Sequence, residues 1–222
     1  MGPMTPEESS GHDEHPKGRL DAFTDGVLAI VITLLVLELK IPGVEETRDL
    51  GNALAGEWRD YAGYLISFVF VGGVWVTHST VTSYMERGDS LTFRLNLLLL
   101  FFVSLLPFLT ALMTTHLGNE GENLAAALYG VDLFIASALI TAFIRYVASQ
   151  PALIADGVER SALVAVDRRR RVLVLLLGLS VLIAIVFPNV AVALYLTVSL
   201  AFLIAPLVRA KRARGLRQGA GT

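Results

Sequence analysis

The stretch RLDAFTDGVLAIVITLLVLE, residues 19–38, decides how the rest of the chain is read. It opens polar and charged, and after Asp25 an apolar run continues to Leu37. A helix over residues 19–42 rises roughly 35 Å, enough to cross a hydrocarbon core of about 30 Å. Asp25 stands about one and a half turns inside that helix, where an ionisable side chain is costly and needs protein or water around it. Beyond it Ile30, Leu34, Leu37 and Ile41 recur at helical spacing on one stripe, with Thr33 on its shoulder. A polar base beneath a branched apolar stripe suits the lining of a pore. It suits a buried bundle helix equally, and periodicity does not separate the two.

Composition agrees with a membrane setting. Of 222 residues 54% are hydrophobic and 17% charged, against about 25% charged in soluble domains. There is no cysteine, so disulfides, thiolate nucleophiles and thiolate metal sites are excluded. Residues 1–18 carry Glu7, Glu8, Asp13 and Glu14 and lack the basic head and apolar core of a secretory signal. They are expected to form a disordered cytosolic arm.

Further apolar runs follow at 61–84, 90–115, 123–149, 172–187 and 190–208. With the first they predict an all-α polytopic membrane protein of six transmembrane helices over residues 19–208, followed by a basic cytosolic tail at 209–222. Between the first two runs Leu50, Leu54 and Trp58 recur every four residues. That pattern suits a short interfacial helix anchored by Trp58, or a solvated loop. The link 150–171 is expected to be polar and to close on Arg168, Arg169, Arg170 and Arg171, and Pro188-Asn189 is expected to force a turn.

Charge then sets orientation. With the amino terminus inside, the inner segments hold Lys17, Arg19, Arg87, Arg94, Arg160, the four-arginine run, Arg209, Lys211, Arg212, Arg214 and Arg217, fourteen of the eighteen Lys and Arg. The outer connections hold Lys40, Arg48 and Arg59, so positive-inside puts both termini in the cytosol of a multi-pass cell-membrane protein. The arginine run and tail then read as anchors to anionic lipid, with no nucleic-acid partner. Asp25, His78 and Asn96 each lie about six or seven residues from the inner end of their spans, which puts them in one layer about 9 to 10 Å deep. Trp75, one turn from His78 on the same face, is placed to cover that layer.

At this point Arg19-x-x-x-Phe23-Thr24-Asp25 resembles the R-x-x-x-F-S-D motif of the endolysosomal potassium-channel family (transmembrane protein 175) and its bacterial homologues. The resemblance runs on through Ile30, Thr33, Leu34 and Leu37 to Trp75, His78, Asn96 and Pro107. It covers the first three spans; the last three match in number and hydropathy. Thr24 stands where the family usually has serine, so the hydroxyl and its hydrogen bond are expected to survive. The resemblance implies a potassium-permeable cation channel, a homotetramer of six-span subunits with four copies of the first span around the pore. It carries Ile30, Leu34 and Leu37 over to a branched apolar constriction, and Thr33 to a hydroxyl position associated with ion selection. It implies no cofactor beyond permeant K+ and other monovalent cations, and it links lysosomal members to proton leak. The T-V-G-Y-G carbonyl filter of ordinary potassium channels is missing from the chain.

Other classes have less to stand on. A secondary transporter needs paired broken helices in two halves, and Gly72-Gly73 and Pro107 are too unevenly placed for that. An enzyme needs a catalytic constellation, and Asp25 with His78 comes without a nucleophile or metal motif. Arg19, Asp25, His78 and Asn96 are read as locking three helices together rather than meeting an ion. Asp132 and Arg145 are expected at the interfaces, Asp132 outward and Arg145 snorkelling inward. Glu38 either gathers cations at the outer mouth or pairs with Lys40 in solvent.

Overall fold

The computed structural model describes residues 17–40, 49–158, 160–201 and 203. They are almost wholly helical: α1 (Lys17–Leu35, extended by a 3-10 turn Val36–Glu38), α2 (Leu50–Gly56), α3 (Trp58–Ser83), α4 (Ser90–His116), α5 (Glu122–Ser149), α6 (Arg160–Ala184) and α7 (Pro188–Ala201). Four of these, α1 with its 3-10 turn, α3, α4 and α5, are long and apolar enough to cross a membrane. The expected arm before residue 17, Ile41 of the stripe, Arg48 and the basic tail lie outside the described residues.

Helix α5 is the hub, packing broadly on α4 and α6, while α1 leans on α4 and α3. Lipid tails are as apolar as leucine, so close packing rather than escape from water holds such helices together. Gly63 of α3 shows what that closeness requires: a Cβ there would run into the Thr114 methyl of α4. Helix α4 continues through Pro107 without a break, its first turn closed by a capping box between Asp89 and Thr92. Helix α2 forms as the spacing of Leu50 and Leu54 allows, capped by the Asp49 side chain, with both leucines exposed.

The carboxyl-terminal third departs from expectation at two boundaries. Helix α6 starts at Arg160, so Arg168 to Arg171 are helical rather than the end of a polar link. The cause is a seam in which Leu163, Arg170, Leu177 and Ala184, seven residues apart, are all buried. Arg170 enters that seam because its guanidinium donates to the Thr77 hydroxyl of α3. Pro188 does not make the turn; it is the first residue of α7, where its missing N–H costs nothing.

The helix ends on the side where α1 begins are knitted together. The turn after α3 pairs with the α5–α6 link through Glu86 N–H to Leu153 O (2.9 Å), Ala155 N–H to Tyr84 O (3.0 Å) and Arg87 Nε to Ala152 O (3.0 Å). Tyr146 of α5 donates its hydroxyl to the Asp89 carboxylate, and Lys17 of α1 reaches the Met85 carbonyl at 3.1 Å.

Candidate functional site

Adjacent residues of the first-helix motif go to different neighbours. Thr24 is buried, donating its hydroxyl to the Leu20 carbonyl (2.8 Å) and accepting from Asn96 Nδ2 of α4 (2.8 Å). Asp25, about 100° further round the helix, accepts from Trp75 Nε1 of α3 at 2.9 Å. His78, one turn from Trp75, is buried beside Asn96, stacks on Phe143 of α5, and shares a pocket with Asp21 and Asp25. Between α1 and α3 a polar pocket of about 200 Å³ opens onto Lys17, Asp21, Asp25 and His78.

The expected layer divides into two contacts: Asn96 holds the hydroxyl of Thr24 and Trp75 the carboxylate of Asp25, because the two side chains project from different flanks of α1. Arg19 is exposed and makes no ion pair among the described residues, so it is not part of the layer that joins the three helices. Phe23 is likewise exposed. Asp21, two residues from Arg19 and lining the same pocket as His78, belongs to the layer; its place four residues before Asp25 was the signal for it.

Above the layer α1 has one covered and one open side. Leu28, Val31 and Leu35 are buried, Leu35 completely. Ile30 (60% exposed), Leu34, Leu37 (73% exposed) and Thr33 line the open side. The Thr33 hydroxyl donates to the Ile30 carbonyl at 2.8 Å, which leaves its lone pairs facing outward. Of the most apolar stretch of α1 28% is buried within the subunit, against 50 to 61% for α3, α4 and α5.

Three further polar contacts escaped the sequence. Lys40 pairs with the buried Asp60 of α3 at 3.5 Å, not with Glu38, because Asp60 lies in the first turn of α3 beside the exit of α1. In the α3–α4–α5 interior, Tyr129 donates to Ser67 (2.8 Å), Ser67 to Thr110 (2.7 Å) and Thr110 to the Leu106 carbonyl (2.6 Å). Single hydroxyls on three helices leave no spacing pattern that could be seen in one dimension. Asp132 is the plainest correction: it is 3% exposed, inside the bundle rather than at an interface, since it shares the buried face of α5 with Tyr129 and Ala136. Arg145 is near the carboxyl-terminal end of α5, 3.9 Å from Asp167. Among the described residues no group of three His, Asp or Glu side chains could hold a metal ion.

With this geometry in hand, known proteins resemble the chain as follows. The family described as endosomal/lysosomal potassium channel TMEM175 matches residues 19–107. A potassium channel of Streptomyces collinus is 42% identical over 123 residues, 55% of this chain and 59% of that protein. The chain thus spans less than two thirds of that relative. A potassium channel of Chamaesiphon minutus is 35% identical over 162 residues, 72% of this chain and 79% of that one. The crystal structure of a lysosomal potassium-selective channel TMEM175 homolog from Chamaesiphon minutus superposes with a TM-score of 0.76 at 29% identity, covering 85% of this chain and 97% of that one.

Proposed function

Because the chain belongs to the TMEM175 family, as a bacterial-type member, we propose that it is a potassium-permeable cation channel of the cell membrane. Four subunits surround one pore lined by α1. Ile30, Leu34 and Leu37 make a hydrophobic constriction in place of a carbonyl filter, and Thr33 offers its outward lone pairs to the passing ion. Helices α6 and α7 complete six spans across residues 19–208, with both termini in the cytosol. Thr24, Asp25, Trp75, His78 and Asn96 set the tilt and rotation of α1 without entering the ion path.

The single observation that carries this reading is the open side of α1. A helix whose apolar stripe and threonine stay uncovered by its own subunit, while its other side is fully packed, is built to meet something else. Neutral branched side chains fit a constriction because an ion must shed water there with no charge to replace it. The test is flux through purified protein in liposomes, with potassium, sodium and proton gradients imposed separately. Ile30→Asn should raise current and reduce discrimination between potassium and sodium. Leu35→Asn, which buries an amide among packed helices, should lower assembly and leave selectivity unchanged. Equal effects of the two changes on selectivity would remove this face from the pore, and flux that saturates at carrier rates would remove the channel.

A further inference from the structure

Helix α1 does not end as it began. Its last α-helical residue, Leu35, is fully buried, and Val36–Glu38 then wind as a 3-10 turn before the chain runs extended through Leu39. The turn touches both α3 and α4. A 3-10 turn advances about 120° per residue, against about 100° in an α-helix. Over the two steps from Leu35 to Leu37 the difference is about 40°, and it carries Leu37 to about 20° from Ile30 on the Leu34 side. An unbroken α-helix would set Leu37 about 20° to the opposite side of Ile30, away from Leu34. The tight turn therefore draws the three residues of the stripe into line. Its hydrogen-bond geometry is poorer than that of an α-helix, so it needs support. Support stands two residues on: Lys40 pairs at 3.5 Å with Asp60, whose side chain is buried in the first turn of α3. A helix amino terminus favours a carboxylate, so Asp60 is a fixed anchor and Lys40 is the strand end fastened to it.

We propose that Lys40 and Asp60 are positioning residues for the constriction: their ion pair holds the 3-10 turn wound, and the turn aims Leu37. This deepens the reading of α1 as the pore helix and rests on it. A released turn relaxes toward α-helical winding, which shortens the path from Leu35 to Leu37 by roughly 1 Å and swings Leu37 out of line with Ile30 and Leu34. The width of an apolar ring depends on where its side chains point, so such a swing alters the step at which an ion sheds water. Neither Lys40 nor Asp60 meets the ion; each acts through the turn.

The chain contains no cysteine, so Leu37→Cys gives a single reporter of the turn. Its rate of modification by a cationic methanethiosulfonate is measured on purified protein in detergent, and potassium flux is measured in liposomes with Leu37 intact. Lys40→Gln alone would leave a buried carboxylate unpaired. The test therefore joins it to Asp60→Asn, which removes the ion pair, orphans no charge and leaves the net charge unchanged. The double change should move the rate at position 37 by about two- to fivefold, the range expected of a pair with one exposed partner. It should also alter potassium flux while melting close to wild type. Lys40→Arg, which keeps the pair, should leave rate and flux as they were. Equal rates with and without the pair would overturn the proposal. A changed rate with unchanged flux would overturn it too, since Leu37 would then not be what ions meet. Failure of the pore reading looks different: the wild type itself would pass no potassium, whatever the rates.

Discussion

Thr24 uses its hydroxyl twice, as donor to its own helix and as acceptor from Asn96 of α4, and that double use explains why a hydroxyl is needed there. Removing it would orphan the Asn96 amide in a buried place, at a cost of about 1 to 3 kcal/mol. Thr24→Ala is therefore expected to lower the melting temperature of the purified protein while Thr24→Ser stays near wild type. Equal melting of the two variants would show that the Asn96 contact contributes nothing. Asp89, in the turn before α4, makes a pH-dependent contribution. Burial works to raise the pKa of its carboxyl, but the Tyr146 hydroxyl and the Thr92 N–H and hydroxyl outweigh it and hold the pKa below the ordinary aspartate value. A lowered folded pKa means stability that is present above the unfolded value of about 4 and lost as pH falls through the folded one. The wild type should then be more stable than Asp89→Asn at neutral pH, and the gap should close only below about pH 4. A gap that persisted unchanged into that acid range would mean the charge of Asp89 is not what stabilises the turn.

At the scale of elements, what the sequence revealed and what it hid divide along a physical line. Spans α3, α4 and α5 were legible within about three residues at each end, because an apolar run bounded by Asp, Gly or Pro marks where lipid contact stops, whereas the helix expected to reach residue 42 gives way to a 3-10 turn that ends at Glu38. The stripe from Ile30 to Leu37 was legible as a stripe, yet which side of α1 is covered depends on α3 and α4, and no local pattern carries that. The start of α6 was hidden because four consecutive arginines read as solvated, whereas Arg170 is drawn inward by Thr77, ninety-three positions away in the chain. Asp132 was misjudged for the same kind of reason: its nearness to the outer end of a span said interface, and the packing of α5 against its neighbours said otherwise. Contact between α5 and α7 is similarly invisible in one dimension. Tyr195 of α7 occupies the space where a side chain at Gly130 would be, with its hydroxyl on the Ala126 carbonyl at 3.2 Å. Gly130→Ala should force that ring away and cost about 1 to 3 kcal/mol by overpacking. Combined with Tyr195→Leu, which removes the ring end, the loss should be clearly less than the sum of the two single changes. Strict additivity would mean that the ring does not depend on the glycine.

For the whole molecule, the distribution of cover among the helices bears on assembly. A subunit that lived alone in lipid would have no reason to leave α1 half as covered as its neighbours while placing Thr33 and the small Gly26 toward the uncovered side. Polar side chains in the hydrocarbon are costly unless they face protein or water. Copies arranged about an axis remove that cost, because the open sides of α1 then face one another and the water between them. The chain offers a direct check, since it contains no cysteine of its own. Leu37→Cys, the most open position of the stripe, should cross-link between copies with a short bis-maleimide in native membranes and give a ladder ending at four chains. Leu175→Cys, equally exposed at 72% but on α6, is turned toward lipid at the edge of such a ring and should remain a single band. Cross-linking at 175 as efficient as at 37 would place the contact between copies on α6. A ladder from 37 ending at two would leave α1 at the interface and replace the fourfold ring with a dimer.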